Sequence, residues 1–257
     1  MATPRERAVA LHSALRSGIP IPPLTRAEPE LTAEDGYLTQ QELVQMLLDE
    51  GDEIVGWKLG LTSKPMQDLM GIAAPDYAPQ FTSQVIDDGA TIAVSGYIQP
   101  KVEAEIALVL RSALEGPGVS VLDAARAVEG AVAAIELVDS RIENWKIKLP
   151  DTIADLASAG STILGTRVVP VDFDLRLTGM VMWRNGEVVA TGAGAAALGN
   201  PLATVAWLAN TLAPYGVTLD AGMFVMTGSL HAAFDVAPGD VVRAQFDRLG
   251  SVRARFA

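Results

Sequence analysis

Lys101-Val102-Glu103-Ala104-Glu105-Ile106-Ala107-Leu108 is a run in which charged and apolar residues alternate before the apolar residues continue alone. Side chains alternate between the two faces of a β-strand, so this pattern places Glu103 and Glu105 on one face and an apolar row on the other. Two neighbouring carboxylates repel each other unless a cation lies between them, and hard divalent ions such as Mg²⁺ prefer oxygen ligands. The alternative is an edge strand with a solvated, charged face.

A second strand-like stretch, residues 131–138, is apolar apart from Glu136. Burial of a bare carboxylate is costly, so a glutamate in such a run needs a partner. Glu136 could pair with Arg141 or with a lysine. It could equally be the third ligand of the ion that Glu103 and Glu105 would bind, and the spacing leaves both possibilities open.

The composition excludes several classes of function. The chain has 257 residues, 49% of them hydrophobic, and a formal net charge of −12, which disfavours non-specific binding to nucleic acid or anionic membranes. It has no cysteine and only two histidines, His12 and His231, so thiolate and three-histidine metal sites are excluded within one chain. Acid–base chemistry must therefore depend on carboxylates, lysine, tyrosine or a metal-activated water. We find no signal peptide and no apolar run long enough to span a membrane, and we expect a cytoplasmic protein.

The remaining sequence predicts a helical segment at residues 1–52 and a β-rich catalytic domain at residues 53–257. Capping boxes at Thr3 and Thr32 predict helices ending near Gly18 and Gly51, with a proline-rich connector between them. A strand is predicted from 53 to 59, a short helix from 63 to 71, and an irregular lid over 72–100. An Asn-Gly hairpin at 184–187, a helix from 200 to 214 and alternation over 252–256 complete a mixed α+β pattern.

The sequence resembles the fumarylacetoacetate hydrolase superfamily, in the branch of the 2-hydroxypenta-2,4-dienoate (2-oxopent-4-enoate) hydratases. The segments that carry the resemblance are GWKLGLTS at 56–63, PDY at 75–77, QPKVEAEI at 99–106, ELVDSRI at 136–142, WKIK at 145–148, DTIAD at 151–155, TGAGAAALG at 191–199 and LGSV at 249–252. The resemblance implies a mixed β roll or barrel with a small helical α/β N-terminal part. It also implies a homo-oligomer that can associate with a sister enzyme of the same pathway.

The resemblance also implies the roles of individual residues. Glu103, Glu105 and Glu136 match ligands of Mg²⁺ or Mn²⁺, and Lys58 and Asp76 match acid–base groups. The expected substrate contacts are Ser158, Leu59, Thr227 and His231. The implied reaction adds water to a 2-hydroxy-2,4-dienoate and yields a 4-hydroxy-2-oxo acid.

Each of these residues also has a purely structural interpretation. Lys58 could reach solvent from a strand, and Asp76 could bond its own backbone in a turn. Ser158 could be a helix-end hydroxyl, and His231 could be a structural histidine. If Lys58 does lie between a metal and apolar walls, its pKa could be lowered.

Three departures from the family pattern leave alternatives open. Leu156 stands where the family usually has asparagine, which removes or replaces a hydrogen bond, and residues 78–83 differ from the usual loop. The Ala232-Ala233 pair resembles the sister 4-oxalocrotonate (2-oxo-3-hexenedioate) decarboxylases. The alternatives are therefore a decarboxylase with the same metal site, a non-catalytic partner subunit, or a hydrolase of C–C bonds.

Overall fold

A computed structural model describes residues 1–64, 67–68, 72 and 74–257 of the chain. Its helices are α1 (Pro4–Ser17), α2 (Leu24–Ala27), α3 (Ala33–Asp49), α4 (Val121–Ala127), α5 (Leu149–Ala154) and α6 (Pro201–Leu212). Its strands are β1 (Ile54–Gly60), β2 (Asp76–Phe81), β3 (Val85–Asp87), β4 (Thr91–Ile92), β5 (Lys101–Leu110), β6 (Val128–Val138), β7 (Ala159–Leu164), β8 (Gly179–Arg184), β9 (Glu187–Ala193), β10 (Phe224–Met226), β11 (Phe234–Asp235), β12 (Val241–Phe246) and β13 (Gly250–Phe256). The short helix predicted over 63–71 falls largely on residues outside the described set. No helix among the described residues combines the length and apolar character needed to cross a membrane.

The two long N-terminal helices begin at capping boxes, as predicted. The Thr3 hydroxyl accepts the Glu6 N–H at 3.2 Å, and the Glu6 carboxylate accepts the Thr3 N–H at 2.8 Å. Thr32 and Asp35 make the same reciprocal pair at the start of α3. Gly18 ends α1 with a φ of 70°, in the left-handed region where glycine carries no steric penalty.

The larger sheet is curled, and the curl creates the interior in which the polar residues meet. Among the described residues its strand order is β2-β1-β10-β5-β6-β7-β3, with β11 also paired to β5. Although β2 and β7 are far apart in this order, the Thr162 hydroxyl on β7 donates a hydrogen bond of 2.6 Å to Gln80 Oε1 on β2. The sheet is a half-barrel, and the predicted mixed β roll is confirmed.

The apolar core lies on the outer face of this sheet. Ala104, Ile106 and Leu108 project from that face of β5 and are fully buried. They pack with the second sheet, of order β4-β13-β12-β8-β9 in the described chain, and with α4 and α6. The alternating apolar row of β5 therefore faces the core, which leaves the glutamate row facing the interior of the curl.

The predicted alternation and hairpin near the C-terminus are confirmed. Val252, Ala254 and Phe256 are buried on β13, between exposed arginines. Asn185 and Gly186 both have positive φ, 54° and 88°, as a two-residue hairpin between β8 and β9 requires.

The prediction of irregular structure over 72–100 is wrong, because β2, β3 and β4 lie there. Pro79 suggested a loop, yet it pairs with Trp57 inside the antiparallel ladder of β1 and β2. Since β2 ends the strand order, proline is tolerated at this edge, where only one side of the strand is paired. A short helix, α2, also interrupts the predicted connector.

Arg141 does not pair with Glu136, which was one of the possibilities left open by the sequence. Its fully buried guanidinium contacts the carboxylate of Asp155 and donates to the carbonyls of Asp139 at 2.7 Å and Ala159 at 2.6 Å. Burial raises the pKa of Asp155 to about 6, although Arg141 opposes the shift. Arg141 is therefore the structural cation of this network, and Glu136 needs another partner.

Replacement of Arg141 by leucine should lower the free energy of unfolding by roughly 3–5 kcal/mol, because Asp155 would be left buried without its counter-ion. Urea denaturation measures the change. The matched control is Arg176→Leu, which removes an exposed ion pair with Asp174 and should leave the free energy of unfolding almost unchanged. Equal losses in the two variants would contradict the structural role assigned to Arg141.

Candidate metal centre and active site

Three glutamates converge on the interior face of the curled sheet. Glu103 and Glu105 lie two residues apart on β5, and Glu136 lies on β6 directly opposite Glu103 in the register. One carboxylate oxygen from each residue falls within 4.8 Å of the other two. The two stretches singled out in the sequence thus supply a single acidic cluster.

The cluster carries more negative charge than its surroundings balance. Burial, together with the charge of Glu136, raises the pKa of Glu103 to about 8, and burial raises the pKa of Glu105 and of Glu136 as well. Glu105 Oε1 and Glu136 Oε2 have no hydrogen-bond partner within the described part of the chain. A hard divalent cation with oxygen ligands fits this donor set, because it would neutralise the charge and occupy the free carboxylate oxygens.

Lys58 reaches the cluster from β1 on the opposite side of the curl. Its Nζ lies 3.2 Å from Glu136 Oε1 and donates a hydrogen bond of 2.8 Å to the Ala157 carbonyl. The side chain is 3% exposed, which excludes the interpretation of a lysine that reaches solvent. Burial acts to lower the pKa of Lys58, but the surrounding carboxylates outweigh it and raise the pKa, contrary to the expected lowering.

Asp76 lies beside Lys58, at the start of β2 and opposite Gly60 in the register. It is 2% exposed, and its Oδ1 has no hydrogen-bond partner among the residues that the structure describes. Burial raises the pKa of Asp76, while the charge of Lys58 and the hydrogen bond from the Gly60 N–H oppose part of this rise. A Cβ atom at position 60 would lie 2.2 Å from Asp76 Oδ1, so only glycine leaves room for this carboxylate.

An unusual backbone turn borders the site at Leu156, Ala157 and Ser158. All three have left-handed φ values, of 53°, 49° and 55°, which are unfavourable for residues with a Cβ atom. The turn aims the Ala157 carbonyl at Lys58, and the Ser158 hydroxyl lies 3.2 Å from that of Thr152. Leu156 packs in the apolar cluster formed with α1 and α3, so this departure from the family pattern faces the N-terminal helices and not the cluster of acids.

Three other residues were predicted to contact the substrate, namely Leu59, Thr227 and His231. Their side chains do not reach the acidic cluster. Leu59 alternates with Lys58 along β1, and its side chain is buried in the core on the outer face. The Thr227 hydroxyl donates to the Ile106 carbonyl at 2.8 Å. The imidazole of His231 is likewise bound to backbone groups through both ring nitrogens.

Sequence reasoning missed several residues that shape the interior. The Gly228 N–H donates to Glu105 Oε2 at 2.8 Å, and the Ser229 hydroxyl lies close enough to Glu103 to oppose the rise in its pKa.

A second contact that sequence reasoning missed joins β7 to β2. Thr162 lies opposite Glu136 in the register and donates a hydrogen bond to Gln80 across the curl. The alternation Asp76, Ala78, Gln80 was a usable signal for Gln80 once β2 is recognised as a strand.

Comparison with known proteins agrees with this geometry. The family described as fumarylacetoacetate (FAA) hydrolase C-terminal matches residues 58–257. The chain is 44% identical over 254 residues to the TodF product hydratase of Pseudomonas putida, covering 98% of this chain and 95% of that protein. It is 42% identical over 258 residues to the 2-keto-4-pentenoate hydratase of Paraburkholderia xenovorans, covering 99% and 96%.

One solved structure resembles this chain over its full length. The 4-oxalocrotonate decarboxylase from Pseudomonas putida G7, complexed with magnesium and adipate, superimposes with a TM-score of 0.93 at 40% identity. The match covers 100% of this chain and 99% of that one. Both branches named in the sequence analysis are thus represented among the relatives, and overall similarity does not separate them.

The raised pKa values predict how a metal should change stability with pH. In the metal-free protein the buried glutamates hold protons up to a higher pH than in the unfolded chain. Stability should therefore fall as pH rises from the ordinary glutamate pKa of 4.5 through about 8. A cation binds the deprotonated carboxylates, so the rise in Tm at one fixed Mg²⁺ concentration should be larger near pH ~8 than near pH ~6.

Thermal unfolding with and without Mg²⁺ measures this difference. Glu103→Gln is the control, because it removes one of the titrating carboxylates. That variant should be more stable than the wild type without metal near pH ~8, and should gain less from Mg²⁺. A gain that is the same at both pH values, or that persists in Glu103→Gln, would contradict the metal site.

Proposed function

The chain belongs to the fumarylacetoacetate hydrolase family, and we propose that it is a metal-dependent hydratase of aromatic meta-cleavage catabolism. Its substrate is a 2-hydroxy-2,4-dienoate of the 2-oxopent-4-enoate type, and its product is a 4-hydroxy-2-oxo acid. The observation that carries the proposal is the cluster of Glu103, Glu105 and Glu136, two of them buried and Glu103 half-buried, with Lys58 and Asp76 beside it. The hydratase relatives over nearly the whole chain support it.

The three glutamates would hold Mg²⁺ or Mn²⁺. When bound, the cation supplies electrostatic stabilisation of the negative charge that develops on the 2-oxygen of the substrate. Glu105 Oε1 and Glu136 Oε2, which have no hydrogen-bond partner among the described residues, would be available to the cation. A substrate that offers adjacent oxygen donors, one from its carboxylate and one at C2, suits such a site.

Lys58 binds and orients the substrate. The neighbouring carboxylates keep its ammonium group protonated, and two of its three N–H donors are directed to Glu136 and the Ala157 carbonyl. The third donor is available for a substrate oxygen. Because the backbone turn at Ala157 fixes the Nζ position, the lysine can bind an anionic group without reorganisation.

Asp76 is the group that transfers protons to and from the substrate and the added water. Burial raises the pKa of Asp76, which makes its carboxylate a better proton acceptor than an exposed aspartate, whereas Lys58 stays charged. Ketonisation of the dienol removes the proton of the 2-hydroxyl group and adds a proton at C5, which gives an α,β-unsaturated ketone. Water then adds at C4, Asp76 accepts the water proton, and return of that proton to C3 of the resulting enolate completes the 4-hydroxy-2-oxo acid.

The charge balance of the interior favours the hydratase over the decarboxylase. Lys58 is the one buried basic side chain that the described residues place on the acidic face. Lys101 shares that face of β5, but its Nζ is paired with Asp235 at 2.6 Å. A monocarboxylate therefore matches the available cations, whereas 2-oxo-3-hexenedioate would bring a second carboxylate.

The intact cluster disfavours a non-catalytic subunit, since four acids gathered in the interior of the sheet destabilise a fold that does not use them. All five proposed active-site residues lie within 53–257, which we propose as the catalytic domain that follows the helical segment 1–52. We further propose a homo-oligomer, with association to a sister pathway enzyme as an additional assembly.

Gly60→Ala should reduce kcat by about 100-fold or more, because the new Cβ would displace the Asp76 carboxylate from its position. Steady-state kinetics measure the loss, and Asp76→Asn should match it. Gly179→Ala is the control: it also lies in a strand, and its added Cβ would contact nothing within 4 Å. Normal turnover in Gly60→Ala would contradict the role proposed for Asp76.

The reaction itself is tested with two freshly prepared substrates in the presence of Mg²⁺. Wild-type protein should convert 2-hydroxypenta-2,4-dienoate to 4-hydroxy-2-oxopentanoate, and excess chelator should abolish the conversion. Product analysis by NMR and CO₂ release from 2-oxo-3-hexenedioate distinguish the two branches. Release of CO₂ without hydration of the dienoate would establish the decarboxylase, and turnover of neither would favour the partner subunit.

A further inference from the structure

Strand β5 has a gap in its partners at the point where it carries two of the glutamates. On the side away from β6, it pairs with β11 at Val102 and with β10 from Ala107 onward. Between these two pairings it faces the loop 227–233, which is not a strand. The backbone of Ala104, between Glu103 and Glu105, must therefore find its hydrogen bonds in that loop.

His231 fills part of this gap with its side chain. Its Nε2 accepts the Ala104 N–H at 2.9 Å, while the Leu230 N–H donates to the Ala104 carbonyl at 3.0 Å. An imidazole nitrogen thus takes the place of the carbonyl oxygen that a neighbouring strand would supply. The ring is stacked on Phe234 at a centroid distance of 5.9 Å, which holds its orientation.

The hydrogen bonds of the ring fix its tautomer. Because Nε2 accepts a backbone N–H, the proton of the neutral ring lies on Nδ1, which is 2.7 Å from the Ala232 carbonyl. Neither nitrogen is free to bind a substrate or to transfer a proton. The role of His231 must therefore be exerted through Ala104.

We propose that His231 is a positioning residue of the metal centre, which anchors Ala104 and so holds Glu103 and Glu105 at the separation that a shared cation requires. The proposal rests on the metal site proposed above. The same loop anchors Glu105 a second time through the Gly228 N–H, so the two ligands from β5 are both fixed by residues 228–231. Groups that orient ligands in this way typically change metal affinity when they are replaced.

The test compares Mn²⁺ dissociation constants of full-length variants, measured by electron paramagnetic resonance of free Mn²⁺. His231→Ala should weaken Mn²⁺ binding by roughly 10- to 100-fold. His231→Gln should restore most of the affinity, because the glutamine carbonyl takes the position of Nε2. His231→Asn should not, because its carbonyl takes the position of Nδ1 and cannot reach Ala104. His12→Ala is the matched control, a histidine that pairs with Glu50 far from the cluster, and should bind Mn²⁺ as the wild type does.

Amide hydrogen exchange at Ala104 in metal-free protein provides a second readout. Exchange should be faster in His231→Ala and His231→Asn than in the wild type and His231→Gln. Unchanged exchange in His231→Ala, or equal Mn²⁺ affinity in the wild type and His231→Ala, would overturn the positioning role alone. A wild type that binds no Mn²⁺ would overturn the metal centre together with it, which separates the two failures.

Discussion

One electrostatic constraint organises the molecule: three buried carboxylates and the half-buried carboxylate of Glu103 lie beside a single lysine. Glu103, Glu105, Glu136 and Asp76 face Lys58 inside a curled sheet, where the low dielectric makes uncompensated charge expensive. One ion pair cannot balance this set. The surplus of negative charge is tolerated only if protons or a cation are bound, and this requirement connects the fold to the proposed chemistry.

The surrounding backbone is shaped to keep these groups in place. The left-handed turn at 156–158 is unfavourable in isolation, yet it is the means by which the Ala157 carbonyl reaches Lys58. Gly60 leaves space for Asp76, and the loop 227–233 replaces a strand along β5. Irregular backbone is thus concentrated around the interior, while the outer face of the same strands packs regularly in the core.

The sequence allowed the acidic cluster to be predicted better than its surroundings. Alternation alone put Glu103 and Glu105 on one face, the apolar run around Glu136 made it a possible third ligand, and the family resemblance added Lys58. Proline led to the wrong assignment of β2, because an edge strand tolerates Pro79 and no local signal shows which strand lies at an edge. His231 was expected at the substrate, but its ring is committed to backbone groups that only the folded loop brings near.

Local sequence patterns were sufficient to predict the helix starts, the hairpin at Asn185 and the two faces of β5. These features follow from backbone geometry and hydrogen bonds between residues close together in the chain. The folded chain was needed to show that Arg141 pairs with Asp155, and that Lys58 contacts Glu136 and the carbonyl of Ala157, which is 99 residues away. The contacts of Lys58 depend on the curl of the sheet, and the pair of Arg141 with Asp155 depends on the end of α5 lying beside the end of β6; no local pattern specifies either arrangement.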